Sequence, residues 1–159
     1  MEKTNVMRKL DQLKIEHKEH FLGDDKNAIS GVEVAGILNV SVDKVFKTLV
    51  TVAKSNNHYV FMVPVAKELD LKKAAAAVRE KSLEMLHQKD LLPLTGYVHG
   101  GCSPIGMKKQ FVTVIHNTAL NFDTIYFSAG KIGYQVELPY ESLKKVIRIS
   151  EADIIKDNG

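Results

Sequence analysis

The chain has 159 residues, the length of one ordinary domain, and its 45% hydrophobic and 26% charged residues exclude a disordered polymer. No run approaches the roughly 18 apolar residues that a bilayer span needs, and the polar Met1-Glu2-Lys3-Thr4-Asn5 start is no secretory signal, so a single cytosolic domain over 1–159 is expected. The formal charge of +3 tolerates a polyanionic partner without forming the basic stripe of a self-evident nucleic-acid binder, and one cysteine, Cys102, excludes an internal disulfide.

Val6, Leu10 and Leu13 share one face of a first helix over 4–13, which Thr4 or Asn5 can cap. Residues 15–22 suit a short edge strand. His17 and His20 have the spacing of metal ligands, but no further Cys or close His completes a set, so solvated surface is expected there and no metal. Gly23 to Asn27 is loop chemistry. Ser30 opens a second helix whose apolar face is Val32, Val34, Ala35, Ile37 and Leu38, and Asn39 ends it.

Residues 45–53 form the clearest strand. Alternation puts Val45, Lys47, Leu49 and Thr51 on one face and Phe46, Thr48, Val50 and Val52 on the other. A lysine inside such a strand either snorkels its ammonium to water or points it into a cleft, where partial burial lowers its pKa. Asn56-Asn57 turns the chain into a second strand, 58–65, with Pro64 near its end. Asp70 caps a helix over 70–78, whose four alanines suit close helix packing, and 82–86 opens a short helix or strand.

Leu91 to Leu94 leads into the strand-like Thr95-Gly96-Tyr97-Val98-His99 and then a loop, Gly100 to Lys109. Three of the ten glycines and one of the four prolines fall within seven residues here. Glycine reaches φ > 0 and lets a ligand approach the backbone, so this loop can present amides to an anion or a carbonyl oxygen. Residues 111–116 and 124–128 read as strands, and Ala129 to Gly133 turns the latter into 134–138, a hairpin with a small-residue apex. Residues 139–145 form a helix with Pro139 in its first turn, 146–149 a last strand, and 150–155 a capped turn or short helix. Hairpins with scattered helices imply a mixed α+β domain.

Four stretches stand in a telling order: Val45-Phe46-Lys47-Thr48-Leu49; Val63-Pro64-Val65 followed by Leu69-Asp70-Leu71-Lys72-Lys73; Thr95 to Gly106; and Tyr126-Phe127-Ser128-Ala129-Gly130-Lys131. With them the chain resembles the YbaK/EbsC family of bacterial aminoacyl-tRNA deacylases, related to the editing domain of prolyl-tRNA synthetases, from the first helix to Ile149. The resemblance implies an α+β fold with a curved, mixed, largely antiparallel sheet approaching a barrel and surrounded by helices. It also implies a trans-editing hydrolase that removes a wrong amino acid from tRNA, foremost cysteine from the proline tRNA.

By the same resemblance Lys47 matches the essential lysine, Gly100 the glycine whose backbone faces the ester, and Ser128 and Gly130 the small wall of the aminoacyl pocket. Lys47, Gly100 and Ser128 are the catalytic candidates. Leu22, Ser30, Thr48, Gly101, Cys102, Ser103, Pro104, Gly130 and Gln135 are the substrate-binding candidates, and Lys108, Lys109 and Lys131 those for phosphates. In cysteine-specific members the substrate's own thiol attacks its carbonyl, which requires no protein nucleophile and no cofactor.

Leu22 and Ser30 stand where the best-studied members have Tyr and Phe, and Gln135 stands where they have Asp. Cys102 is expected as a wall residue, reactive through exposure, and Ser103 lacks the Gly-x-Ser-x-Gly setting of a serine hydrolase. The implied partners are mischarged aminoacyl-tRNA and prolyl-tRNA synthetase. The alternatives are a non-catalytic aminoacyl-binding or synthetase-associated module, a deacylase for another amino acid, and a small-molecule ester or thioester hydrolase.

Overall fold

A computed structural model describes residues 2–23 and 30–157; the loop expected over Gly23 to Asn27 lies, from Asp24 on, outside them. Helix α1 (Asn5–Gln12) starts at Thr4, whose hydroxyl accepts the Met7 N–H at 3.2 Å. It buries Val6, Met7 and Leu10, while Leu13, expected on this face, is its C-cap and stays 47% exposed. The helix ends at Gln12, and the chain turns away at Leu13, leaving its side chain beyond the core.

Strand β1 (Lys18–Phe21) is indeed an edge strand and pairs with β7 (Tyr134–Leu138), which pairs with β6 (Ile125–Ser128), giving a three-stranded antiparallel sheet. The expectation that His17 and His20 are solvated is corrected. His17 lies 2.7 Å from a Glu19 oxygen and 2.8 Å from the Ile15 carbonyl, and His20 lies 3.0 Å from Glu137. Asp11, His17 and Glu19 come close enough together to hold a cation, but the Lys3 ammonium occupies that place, 2.9 Å from Asp11 and 3.0 Å from Glu19.

The larger sheet has the order β4-β2-β3-β5-β8. Strands β2 (Phe46–Ala53) and β3 (His58–Pro64) form the expected hairpin, and β4 (Leu83–Met85) settles the ambiguity at 82–86 as a strand that pairs only with Thr51, Val52 and Ala53. Strands β5 (Val112–His116) and β8 (Ile149–Ala152) run parallel to their neighbours. The last strand is thus three residues later than expected, and 150–155 is not a helix. The isolated parallel bridge Val45–Tyr126 joins the two sheets, so the assembly curves without closing into a barrel.

Helix α2 (Gly31–Leu38) is capped by Ser30 and stopped by Asn39 in the left-handed region; it buries Val34 and Ala35 but leaves Val32 and Ile37 exposed. Helix α3 (Leu71–Ala77), capped by Asp70, packs Ala74 and Ala75 on one face of the large sheet against Phe61, Val63 and Val114. The other face, with Phe46, Val50, Val60, Met62 and Ile115, meets α1, the small sheet and Leu143 of α5 (Tyr140–Leu143) in the main core.

The strand expected at Thr95–His99 does not form: helix α4 (Gln88–Thr95) ends at its first residue, and Gly96 to His99 runs as irregular chain into a turn. Pro93 lies inside it, and the Thr95 hydroxyl donates to the Leu91 carbonyl at 2.7 Å; Gly96 then ends the helix with φ +87°. Among the described residues no helix is long and apolar enough to cross a membrane.

Leu10 and Leu13 separate two contributions that the sequence pattern treats alike. Leu10→Ala is expected to lower stability by about 2–5 kcal/mol in urea denaturation, whereas Leu13→Ala should change it by no more than about 0.5 kcal/mol.

Candidate functional site

The bridge from Val45, just before β2, to Tyr126 of β6 is the sole ladder contact among the described residues that ties this end of β2 to β6, and β4 covers the same edge of β2 only from Thr51 onward. Between them the start of β2 is left without a strand partner on that side. A cavity of about 420 Å³ fills the gap, large enough for a small ligand. Its lining includes Lys47, Thr48, Gly100, Cys102, Ser128 and Gln135, along with Ser30, so seven sequence candidates from five separate segments meet there.

Lys47 is half-buried. Its ammonium donates to the Val65 carbonyl at 3.5 Å, and desolvation holds its pKa below the ordinary lysine value, partly offset by the charge of Glu68. This favours the cleft orientation over simple snorkelling. Gly100 occupies the third position of a turn closed by the Gly101 N–H donating to the Val98 carbonyl at 3.0 Å, with φ +88°. A side chain at that conformation is strained, which is why the loop needs glycine there.

Ser128, the last residue of β6, stands opposite Gln135 on β7, and its oxygen accepts the Gly130 N–H at 3.1 Å. The hydroxyl therefore shapes the hairpin apex and keeps its own proton for another acceptor. Cys102 lines the cavity but is buried, and burial pushes its thiol up to about 12. The expected reactivity through exposure is corrected: almost no thiolate exists at neutral pH.

Other candidates lie off the cavity. Ser103 is fully buried and its oxygen accepts the Ile105 N–H at 3.3 Å; Pro104 is buried beside it. Gly101 packs against the Lys131–Ile132 backbone, where an added Cβ would lie 3.2 Å from the Ile132 nitrogen. Gly130, at φ +95°, faces Tyr97, Asn5 and Val6 behind the site. Leu22 packs with Val34, Val45, Val65 and Tyr126, beneath one wall rather than in it.

Of the three lysines, Lys131 pairs with Glu2, Lys108 donates to the Pro93 carbonyl at 3.4 Å, and Lys109 is exposed. None lines the cavity.

Sequence reasoning missed Glu33, Leu91 and His99 in the lining. Leu91 belongs to α4, a helix that the sequence reading of 91–94 did not assign. Glu33 is placed by the close seating of α2 on Val65: a Cβ at Gly31 would lie 2.3 Å from a Val65 methyl. His99 adjoins the glycine turn and carried no signal of its own.

A family model described as the aminoacyl-tRNA editing domain matches residues 26–146. The chain is 44% identical, over 96% of its length and 93% of the other's, to EbsC of Enterococcus faecalis, which by name is assigned as a Cys-tRNA(Pro)/Cys-tRNA(Cys) deacylase. Its fold is similar to a crystal structure assigned as a trans-editing enzyme for prolyl-tRNA synthetase, with a TM-score of 0.84 at 21% identity, covering 97% and 99% of the two chains. A scaffold protein used for computational epitope grafting gives 0.85 at 22% identity, covering 96% of each.

Two outcomes test the electrostatics. At pH 8, labelling of Cys102 by a disulfide reagent should be slower in the folded protein than in denaturant by at least about 10²-fold. Because the folded pKa of Lys47 lies below its unfolded value, the unfolded chain binds more protons between the two, and stability rises with pH across that window. Lys47→Met should therefore be more stable than wild type at pH 7, with the margin shrinking as the pH passes through the folded pKa toward 10.5, read from urea midpoints.

Proposed function

The chain belongs to the aminoacyl-tRNA editing domain family, and from that membership we propose that it is a trans-editing hydrolase cleaving the ester between a wrong amino acid and tRNA, foremost Cys-tRNA(Pro). The observation that carries this reading is the convergence of Lys47, Gly100 and Ser128 on one cavity. In it, the ester carbonyl rests against the Gly100 turn. The Lys47 ammonium, partly withdrawn from water, then stabilises the negative charge that grows on the carbonyl oxygen. Ser128 donates its remaining proton to the ester.

The protein supplies no activated nucleophile in this scheme, since the Cys102 thiol is too basic to ionise. Water attacks, or in a cysteinyl ester the substrate thiol does. In the second case a C–S bond forms, the C–O bond to the ribose breaks, and the thiol proton passes to the departing ribose oxygen. The resulting thioester is then hydrolysed by water.

Lys109, with Lys108 and Lys131 after loss of their local contacts, meets acceptor-stem phosphates at the rim. Selection among tRNAs falls to a synthetase partner such as prolyl-tRNA synthetase. Strong discrimination among tRNAs carrying one amino acid, with no synthetase present, would count against that division of labour.

A panel of mischarged tRNAs tests the activity. Ester loss is expected foremost from cysteinyl-tRNA(Pro), with Lys47→Ala lowering kcat/KM by about 10²–10³-fold. Gly100→Ala should impair turnover and Cys102→Ala leave it close to wild type. Intact esters throughout the panel, or full activity in Lys47→Ala, would remove the proposal.

A further inference from the structure

Among the described residues, three buried side-chain atoms have no hydrogen-bond partner: Thr48 Oγ1, Thr118 Oγ1 and Gln135 Oε1. Two of the three line the same cavity. Gln135 is only 9% exposed, and a buried carbonyl oxygen left without a partner carries a desolvation cost that a protein interior normally avoids.

Their position is as informative as their state. Thr48 projects from the face of β2 that carries Phe46 and Val50 into the main core; Gln135 lies on the face of β7 opposite to Tyr134 and Val136, beside Ser128 of β6, and its Oε1, like Thr48 Oγ1, is shut off from solvent. The two therefore mark the inner end of the cavity. His99 and Gly100 are exposed and mark its mouth. An aminoacyl group attached to a bulky polynucleotide enters with its ester at the mouth, because the nucleic acid has to remain outside, and its side chain points inward.

We infer that Thr48 Oγ1 and Gln135 Oε1 accept hydrogen bonds from the end of that side chain, so that the pocket selects small aminoacyl groups bearing a hydroxyl or thiol over apolar groups of similar size. This rests on the aminoacyl-ester reading of the site and adds the side-chain class. A site built around buried acceptors rejects an analogue that lacks the donor, since binding the analogue expels solvent and leaves the acceptors unpaired. Serine is the clean probe: it matches cysteine in shape and donates a hydrogen bond, yet lacks the thiol's self-cleaving chemistry.

The experiment measures binding of non-hydrolysable seryl and alanyl amides of adenosine by calorimetry, alongside deacylation of seryl- and alanyl-tRNA. Wild type should bind the seryl amide about tenfold or more tighter than the alanyl amide. Thr48→Val and Gln135→Met should bring that ratio close to one chiefly by weakening the seryl amide. Gln135→Glu, which retains the acceptor, and Thr48→Ser, which retains the hydroxyl, should keep the preference. Thermal melting of each variant identifies any that fails to fold, and the conservative pair then decides alone.

Equal binding of the two amides by wild type, or an undiminished preference in both Thr48→Val and Gln135→Met, would overturn the inference. Preferential binding with no ester cleaved from any tRNA would uphold it while removing the hydrolase reading.

Discussion

A stretch of unpaired strand edge is what the rest of the site depends on. Val45, just before strand β2, makes one bridge to Tyr126 of β6, and β2 is rejoined on that side only at Thr51 by the three residues of β4. Side chains on the two faces of a fully paired strand point into separate compartments and never meet. Here Lys47 and Thr48, neighbours on opposite faces, border a single cavity because no strand lies between them along that edge. The same gap accounts for the half-desolvated ammonium. The large sheet and its hydrophobic layers surround Lys47 closely enough to remove part of its water, and the opening prevents its complete burial, which would neutralise it.

What holds the two loops at the rim is a set of contacts behind them. Tyr97 donates its hydroxyl proton to the Ile105 carbonyl and accepts from Asn5 Nδ2 at 3.3 Å, so the start of α1 and the glycine loop are tied through one aromatic ring. Gly106 and Gly130 both lie against this ring and Asn5; an added Cβ would come within 2.8 Å of the Tyr97 oxygen at the first and 3.0 Å of the ring at the second. Gly101 in turn abuts the hairpin backbone at Ile132. The glycines split into two jobs. Gly100 gives the cavity its exposed turn, and the others let the loop, the hairpin apex and α1 pack closely enough to hold that turn still.

Local chemistry explains which parts of this were legible in the sequence. Thr4, Ser30 and Asp70 cap the helices they were expected to cap, and Asn56-Asn57 makes its hairpin, because caps and turns are settled within a few residues. The misreadings involve long-range pairing. The last strand begins at Ile149 because its parallel partner β5 supports it from Thr113 onward, a register that no local pattern encodes. Residues 88–95 received no helix assignment; α4 forms there with Pro93 inside it, and its Thr95 hydroxyl donates back to the Leu91 carbonyl. In the site, the strand pattern of Lys47 suited an ordinary snorkelling side chain, and only the family resemblance singled it out; the meeting of Thr48 with Gln135 follows from the separation of β2 and β6. Periodicity cannot report a gap between strands.

The free site concentrates features that cost stability. Lys47 gives up hydration for one long contact with the Val65 carbonyl, Thr48 and Gln135 bury polar atoms without protein partners, and Gly100 holds a conformation that other residues rarely adopt. Such costs, collected in one cavity of an otherwise well-packed protein, are relieved together only by a ligand of a particular shape. It must bring an electron-rich oxygen to the Lys47 ammonium and a hydrogen-bond donor to the Thr48 and Gln135 oxygens, and its body must be small enough to fit between them. An amino-acid ester whose short side chain ends in a hydroxyl or thiol meets all three requirements. In the proposed binding mode, a side chain longer than the inner wall allows would force its own ester away from Lys47, and side-chain identity would thereby be coupled to the placement of the carbonyl that reacts.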